Sequence, residues 1–183
     1  MYLGLENIRS LYNVGSIFRT ASFFGIKKVL LVGYSGRARP GVNQLHEKVK
    51  KTALGAEKDF EIKFVKNSEE LVKLTRKKGL KLIAIEQDKR SVKIDKWQAE
   101  KDSVLVFGNE VEGVSQEVLA AAEEIVEIPR QGKKGSLNVE VAAAIVISQV
   151  EADLRANSGL NIRSVNNGYR WRFWKNLNSG WLS

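Results

Sequence analysis

Short apolar runs recur along the first 155 residues, and the segments between them space their apolar residues as helices do. Four runs are four or five residues long and carry at most one charge each, which predicts buried strands; they are residues 28–32, 81–85, 104–107 and 125–128. Residues 60–65 alternate apolar with charged side chains. That alternation predicts a half-buried or edge strand.

Helical spacing dominates residues 11–24, 68–78, 115–122 and 139–154. The last of these is apolar on most of its circumference, so we expect it to be largely buried. Strands that alternate with helices predict an α/β fold, with a mostly parallel sheet flanked by helices on both faces. Ligands of such sheets bind beyond the carboxyl ends of the strands. The segments after Val32, Phe107 and Ile128 are therefore the first places to look for a site.

The length of 183 residues suits one domain. Residues 34–44 contain two glycines and a proline among polar neighbours, which predicts a mobile loop. Beyond Arg155 the chain becomes rich in Asn, Ser, Gly and Arg, and this part holds three of the four tryptophans. We therefore predict a folded domain over residues 1–155 and a basic, aromatic tail over residues 156–183.

The composition excludes several classes of site. The chain has no cysteine and one histidine, His46, so thiolate and polyhistidine metal sites are excluded and no metal is expected. No apolar run has membrane-spanning length, and the first residues lack a signal-peptide profile. These features predict a cytoplasmic protein without a membrane partner.

The net charge is +9, and its distribution points to polyanions as partners. Residues 1–154 hold 25 Lys and Arg against 21 Asp and Glu, whereas the remaining residues hold five basic side chains and no acid. Lys48 and Lys51 lie beside His46, and Arg170 and Arg172 alternate with aromatic residues in the tail. Each group is a candidate RNA contact, although a basic run is more often a solvated surface.

Three segments carry candidate chemistry. The sequence Gly-Asn-Glu-Val-Glu-Gly at residues 108–113 follows a predicted strand, and its glycines permit a sharp turn that projects Asn109 and Glu110. Alone, it also fits an ordinary strand-to-helix turn. Residues 128–139 contain Ser136 and Asn138 just ahead of the last helix, where they suit an N-cap and where free N–H groups attract anions.

The third segment begins at Glu6-Asn7 and continues through Asn13 to Arg19. Asn13 and Arg19 lie six residues apart along a predicted helix. Asn13 suits the first turn of that helix. Arg19 falls among Ile17, Phe18 and Phe23, where an arginine can simply extend its apolar stem along the surface and keep its charge in water.

Taken together, the three segments resemble the motifs of the SpoU/TrmH family of SPOUT RNA methyltransferases: N-x₅-R-T, G-N-E-x-x-G and I-P…G-S-L-N-V-x-x-A. The resemblance covers roughly residues 5–154. It implies a C-terminal trefoil knot, S-adenosylmethionine as cofactor and methylation of a ribose 2′-hydroxyl in tRNA or rRNA. It also implies a homodimer in which Arg19 of one subunit faces the cofactor of the other.

The same resemblance assigns roles to individual residues. Gly108, Asn109, Ile128, Leu137 and Asn138 would bind the cofactor. Asn13, Arg19, Glu110, Ser136 and Asn138 would form the catalytic set, with Arg19 also in contact with RNA. The family interpretation makes Arg19 a general base. Because arginine is effectively always protonated, electrostatic stabilisation of the developing alkoxide is the alternative.

Two further alternatives stay open at this point. The tail departs from the family pattern, so it is either an RNA-binding element or an extension without a role in recognition. A non-catalytic RNA-binding protein on the same fold is the rival function. We expect no RNA-binding domain ahead of Leu5, so target choice would rest on the catalytic domain, its dimer mate and the tail.

Overall fold

The structure, a computed structural model, describes residues 1–133 and 135–157. Strands and helices alternate along this part of the chain. In chain order they are β1 (Tyr2–Glu6), α1 (Leu11–Phe23), β2 (Lys28–Val32), α2 (Glu47–Ala53), a 3₁₀ turn (Ala56–Asp59), β3 (Glu61–Val65), α3 (Ser68–Lys77), β4 (Lys81–Ile85), β5 (Val92–Lys93), β6 (Ser103–Phe107), α4 (Gln116–Ala121), β7 (Glu124–Glu127) and α5 (Val139–Asn157).

All seven strands run parallel in one sheet, in the order β3-β2-β1-β6-β4-β7-β5. In the interior strand β1, Leu3 pairs with Val29 on one side and with Leu105 on the other. Both β1 and β6 are buried along their whole length, as expected for a parallel sheet covered on both faces. The alternating strand β3 lies at one edge, which confirms its prediction.

Each face of the sheet is covered by its own helices. Apolar residues of α1, α2 and α5 form one core with β1 and β2, while α3 and α4 form the second core on the opposite face. The predicted α/β architecture with flanking helices is therefore confirmed. The order of the strands brings the carboxyl ends of β1, β4, β6 and β7 to the same edge of the sheet.

Helix α5 is less buried than its composition predicts. Val139, Ala143, Val146, Ile147 and Val150 form its buried stripe, but Val141 and Ile145 stay 40% and 39% exposed. The expectation of a largely buried helix was wrong for a single chain, because α5 packs against α1 and the sheet along one side only. Its opposite face is apolar and open.

The segment after β2 is held by one arginine. The guanidinium of Arg37 donates hydrogen bonds to the backbone carbonyls of Gly33, Val42 and Val65 at 2.5, 3.2 and 3.0 Å. It also lies 4.8 Å from the centre of the Phe64 ring. These contacts tie residues 33–42 to the edge strand β3.

Three sequence-based expectations concern membrane spans, metal sites and the C-terminal tail. Within residues 1–133 and 135–157, no helix is long and apolar enough to cross a membrane. The same residues contain no group of three or more metal-binding side chains. The boundary predicted near Arg155 falls inside α5, and the tail residues Arg170 and Arg172 lie outside the described residues.

Candidate active site

A cavity of about 690 Å³ opens at the carboxyl ends of β4, β6 and β7. Two loops form most of its wall: residues 108–113, here called the β6 loop, and residues 129–138, here called the β7 loop. Residues 85–88 complete it. The volume falls in the range of pockets that enclose small organic ligands. Its place at the strand ends is where a parallel α/β sheet binds ligands.

The β6 loop closes on itself. The N–H of Asn109 donates to the Gly113 carbonyl at 2.9 Å, and the N–H of Gly113 donates back to the Asn109 carbonyl at 3.0 Å. A Cβ on Gly108 would lie 2.2 Å from the Gly113 carbonyl carbon, so the backbones approach more closely than any side chain allows. Gly113 adopts a φ of +72°, which glycine accepts without strain.

Asn109 holds this loop from inside. Its side-chain oxygen accepts hydrogen bonds from the N–H groups of Val111 and Glu112 at 2.8 and 3.0 Å. Its amide nitrogen donates to the Asn7 carbonyl and the Tyr34 hydroxyl, both at 2.8 Å. The residue is 7% exposed. The side chain thereby joins the carboxyl ends of β1, β2 and β6.

Glu110 connects the β6 loop to the start of α1. Its carboxylate accepts hydrogen bonds from the backbone N–H groups of Arg9 and Ser10 at 2.9 and 3.0 Å, and from the Asn13 side-chain amide at 3.0 Å. Partial burial by itself would raise the pKa of Glu110. The hydrogen-bond donors outweigh burial and hold that pKa below its ordinary value.

The hydrogen bonds continue from Asn13 to the third motif. The Asn138 amide nitrogen lies 3.5 Å from the Asn13 side-chain oxygen. Asn138 also caps α5, because its side-chain oxygen accepts from the Glu140 N–H at 2.8 Å, as its sequence position predicts. Glu110, Asn13 and Asn138 thus form a polar chain that links one residue from each motif.

The predicted residues divide into three groups by position. Those that line the cavity are Gly108, Asn109, Glu110, Ile128, Ser136 and Leu137. Asn13 and Asn138 adjoin it through the polar chain. Arg19 does not line it: the residue is exposed on α1, and its side chain forms no hydrogen bond or ion pair within residues 1–133 and 135–157. Lys48 and Lys51 are exposed on α2, where His46 caps the helix.

Two buried or cavity-lining acids were given no role from the sequence, although one of them, Glu6, opens the segment that contains Asn13 and Arg19. Glu86 follows β4 and lines the cavity, and its carboxylate accepts from the Gln87 and Val114 N–H groups at 2.9 and 3.0 Å. The signal was a polar Glu-Gln-Asp directly after a buried strand. Glu6, 1% exposed, accepts from the Ser68 and Ser115 hydroxyls at 2.5 and 2.7 Å and so ties β1 to the starts of α3 and α4.

This arrangement suits a small polar ligand. Glycine backbone in the β6 loop leaves room for close approach, while the start of the 19-residue helix α5 stands beside exposed Ser136 and Leu137 on the other wall. Ionised Glu110 fixes the polar chain between the motifs. The cavity therefore combines a shaped, hydrogen-bonded wall with an exposed one that a ligand can cover.

Comparison with known proteins identifies the family of this chain. The sequence matches the SpoU rRNA Methylase family over residues 1–148. The tRNA (guanosine(18)-2′-O)-methyltransferase of Escherichia coli (strain K12) is 26% identical over 159 residues, which cover 87% of this chain and 66% of that protein. The chain therefore spans just under two thirds of the length of this relative.

Solved structures of similar fold agree with this family match. The Aquifex aeolicus TrmH/SpoU tRNA modifying enzyme superposes with a TM-score of 0.73 at 26% identity, over 86% of this chain and 76% of that one. The SpoU methyltransferase AviRb from Streptomyces viridochromogenes, in complex with AdoMet, shares the fold at 20% identity with a TM-score of 0.71, over 87% and 61% of the two chains. With a family match over most of its length, the chain belongs to the SpoU rRNA Methylase family.

Proposed function

We propose that the protein methylates a ribose 2′-hydroxyl in tRNA or rRNA, with S-adenosylmethionine as methyl donor. The observation that carries the proposal is the polar chain Glu110–Asn13–Asn138, which joins the three motifs beside one cavity. The names of the relatives support the reaction: the Escherichia coli relative is a tRNA 2′-O-methyltransferase, and the AviRb structure contains AdoMet.

The cavity residues fit the proposed cofactor. Gly108 and Asn109 in the β6 loop, Ile128 at the end of β7, and Leu137 and Asn138 before α5 would hold it. Backbone at a glycine can approach an adenosine without a Cβ in the way. The cofactor, when bound, supplies an electrophilic methyl group. The protein then has to align the ribose 2′-oxygen with that methyl group and help the 2′-hydroxyl to lose its proton.

The proposed catalytic residues would each have a separate role in positioning the ribose or stabilising charge. Glu110, kept ionised by three N–H donors, would orient Asn13, and Ser136 and Asn138 would position the ribose at the exposed wall. Arg19 would hold an RNA phosphate and stabilise negative charge as it develops on the 2′-oxygen. We prefer this role to general base for Arg19, because a guanidinium does not lose its proton at neutral pH.

The position of Arg19 supports a homodimer. In one chain it stands away from its own cavity, on the exposed face of α1 that also carries Tyr12, seven residues earlier. Tyr12 is 63% exposed, and Val141 and Ile145 on the neighbouring helix α5 are exposed as well. A second copy that covers this apolar face would bring Arg19 to the partner's cavity.

Sedimentation at micromolar concentration tests the dimer, and a monomer would contradict it. A mixing experiment tests the shared site. Arg19→Ala subunits and Asn138→Ala subunits should each be weak alone and should recover activity when mixed, because one of the two sites in a mixed dimer then retains both residues.

The trefoil knot is a further part of the proposal. Family membership supports it, together with the β6 and β7 loops that face the same cavity, since a knot would thread the C-terminal segment between such loops. An experimental structure that traces residues 86–157 tests it directly. A C-terminal helix that returns outside those loops would contradict the knot.

RNA contacts beyond the cavity are proposed at Lys48 and Lys51 on α2 and at Arg170 and Arg172 in the tail. Both lysines are exposed. Deleting residues 157–183 removes four basic side chains and three tryptophans. If two phosphate contacts are lost, the slope of log affinity against log salt should flatten by roughly one and a half. Parallel lines of equal affinity would show that the tail does not bind RNA.

Two measurements separate the proposed enzyme from its rival, a non-catalytic RNA-binding protein. The first is calorimetry with S-adenosylmethionine, and the second is transfer of its labelled methyl group to unfractionated tRNA and rRNA. The proposal expects binding and transfer. RNA binding without cofactor binding would favour the rival. We propose that this activity takes place in the cytoplasm, the location expected from the sequence.

A further inference from the structure

Tyr34 has an unusual orientation at the end of β2. It follows Gly33 directly, and its hydroxyl accepts a hydrogen bond from the Asn109 amide nitrogen at 2.8 Å. Asn109 is 7% exposed, yet Tyr34 itself remains 48% exposed. The hydroxyl therefore points inward to a buried amide, and the exposed surface of the residue belongs mainly to its ring.

This orientation is the reverse of the common one. A surface tyrosine usually buries part of its ring and leaves the hydroxyl in water. Here the polar end is engaged by the protein and the apolar end faces solvent, an arrangement that a ligand covering the ring would stabilise. The anchored hydroxyl also fixes the ring, so a ligand would lose little free energy in ordering it.

The location ties this ring to the reaction. The amide that binds the Tyr34 hydroxyl belongs to Asn109, which lines the cavity and directly precedes Glu110. The same amide nitrogen also binds the Asn7 carbonyl at the end of β1. Tyr34 itself does not line the cavity. It therefore stands at the rim, next to the proposed cofactor site but outside it.

We propose that Tyr34 is a positioning residue that stacks on a base of the RNA substrate beside the nucleotide to be methylated. This inference rests on the proposed function. Aromatic side chains bind unpaired RNA by stacking on bases, which is tolerant of sequence and needs an open ring face. Tyr34 offers such a face, held in a fixed orientation by the β6 loop that also carries Glu110.

Two substitutions separate the ring from the hydroxyl. Tyr34→Leu removes the aromatic face, whereas Tyr34→Phe keeps it and removes only the bond to Asn109. Binding and steady-state kinetics are measured with the tRNA or rRNA that the wild type methylates. Tyr34→Leu should raise the Kd and KM for RNA by about thirtyfold, the middle of the range for one stacked base. Tyr34→Phe should recover most of that loss.

Cofactor affinity, measured by calorimetry, provides the readout that a merely structural role would move. Tyr34→Leu should leave S-adenosylmethionine binding close to wild type and act on KM more than on kcat. Loss of cofactor affinity in parallel with RNA affinity would overturn the proposal, because Tyr34 would then act only by supporting Asn109. Unchanged KM and Kd for RNA would overturn it as well.

A measurement on the unmodified protein covers the case in which Tyr34→Leu does not fold. Hydroxyl-radical footprinting, with mass spectrometry of the peptide that contains Tyr34, should show oxidation of the ring in the free protein. RNA should protect it, and S-adenosylmethionine alone should not. Equal oxidation with saturating RNA would overturn the proposal. A wild type that neither binds nor methylates RNA would instead defeat the proposed function, and with it the substrate for Tyr34.

Discussion

The two loops that line the cavity are held in different ways. The β6 loop is closed by backbone hydrogen bonds, filled by the buried Asn109 side chain and linked to β4 by Glu86. The described residues of the β7 loop from Gln131 to Asn138 are all exposed. Both loops carry glycines and an asparagine that makes side-chain hydrogen bonds, so composition alone does not explain the contrast. Its origin is the number of neighbouring segments that reach each loop.

This contrast indicates that the two loops have different roles at the cavity. A wall whose polar groups are already paired needs no reorganisation when a ligand arrives, so it can set the ligand's position. The exposed wall presents Ser136, Leu137 and the start of α5 to whatever enters the cavity. We infer that the β6 loop defines the shape of the site and that the β7 loop offers exposed groups to its occupants.

Glycine substitutions test the contrast most strongly. Gly108→Ala places a methyl group against the Gly113 backbone, and the forced shift should lower the free energy of unfolding by about 3 kcal/mol and abolish measurable cofactor binding. Gly132→Ala is the matched control in the β7 loop, because its Cβ meets nothing within 4 Å among the described residues. Urea unfolding and calorimetry check both. Equal effects of the two variants would refute the contrast.

The two asparagines give a smaller difference. Asn109→Ala breaks four hydrogen bonds and leaves buried groups unpaired, so it should lower the free energy of unfolding by about 2–3 kcal/mol. Asn138→Ala removes an exposed helix cap and should cost about 1 kcal/mol. Denaturant midpoints with unchanged slopes would measure both. If Asn138→Ala proved the more damaging, the β7 loop would be the more ordered wall.

Removal of the Glu110 carboxylate should give the smallest change in stability, and that change should depend on pH. Its folded-state pKa is lowered, so its contribution to stability is present above the ordinary pKa and is lost as the pH falls through the folded-state value. Glu110→Gln should therefore lower stability by about 1–2 kcal/mol near pH 7. The difference from wild type should shrink below about pH 4.5, the ordinary value for this carboxyl.

Thermal or urea unfolding across pH 3–7 measures this difference, and Glu112→Gln, an exposed position in the same loop, is the control for removal of one negative charge. A stability difference that persists undiminished to pH 3 would mean that the carboxylate charge is not what Glu110 contributes.

Much of the fold could be predicted because the apolar pattern of each main strand matches its burial in the folded protein. Strands β2, β4, β6 and β7 are buried on both faces, so their sequences are short apolar runs. Strand β1 was missed although it lies inside the sheet, because Gly4 interrupts its apolar run. A Cβ at Gly4 would lie 3.2 Å from a Val106 methyl group, a tight contact that no local pattern reveals.

The short elements escaped prediction for another reason. Strand β5 has two exposed residues, and helix α2 is a seven-residue basic segment whose start depends on a cap from His46. Neither has enough apolar positions to show a period.

The sequence could predict that motif residues meet at the strand ends, whereas the roles assigned to those residues stay predictions. Gly108, Glu110 and Leu137 line the cavity as expected, but Glu86 was missed because the strand order, which the sequence does not reveal, brings β4 between β6 and β7. The roles within the site depend on long-range contacts. Asn109 lines the cavity as a proposed cofactor contact. Its side-chain polar atoms also bind Asn7, Tyr34, Val111 and Glu112, a loop-shaping role that the sequence did not reveal.

The most direct test of the proposed reaction is the chemical position of the transferred methyl group. RNA labelled by the protein from S-adenosylmethionine is digested with alkali, which cleaves a phosphodiester only through attack by the neighbouring 2′-hydroxyl. Ribose 2′-O-methylation predicts that the label appears in alkali-resistant dinucleotides and that Arg19→Ala removes it. Label recovered only in mononucleotides would place the methyl group on a base, which would rule out ribose methylation.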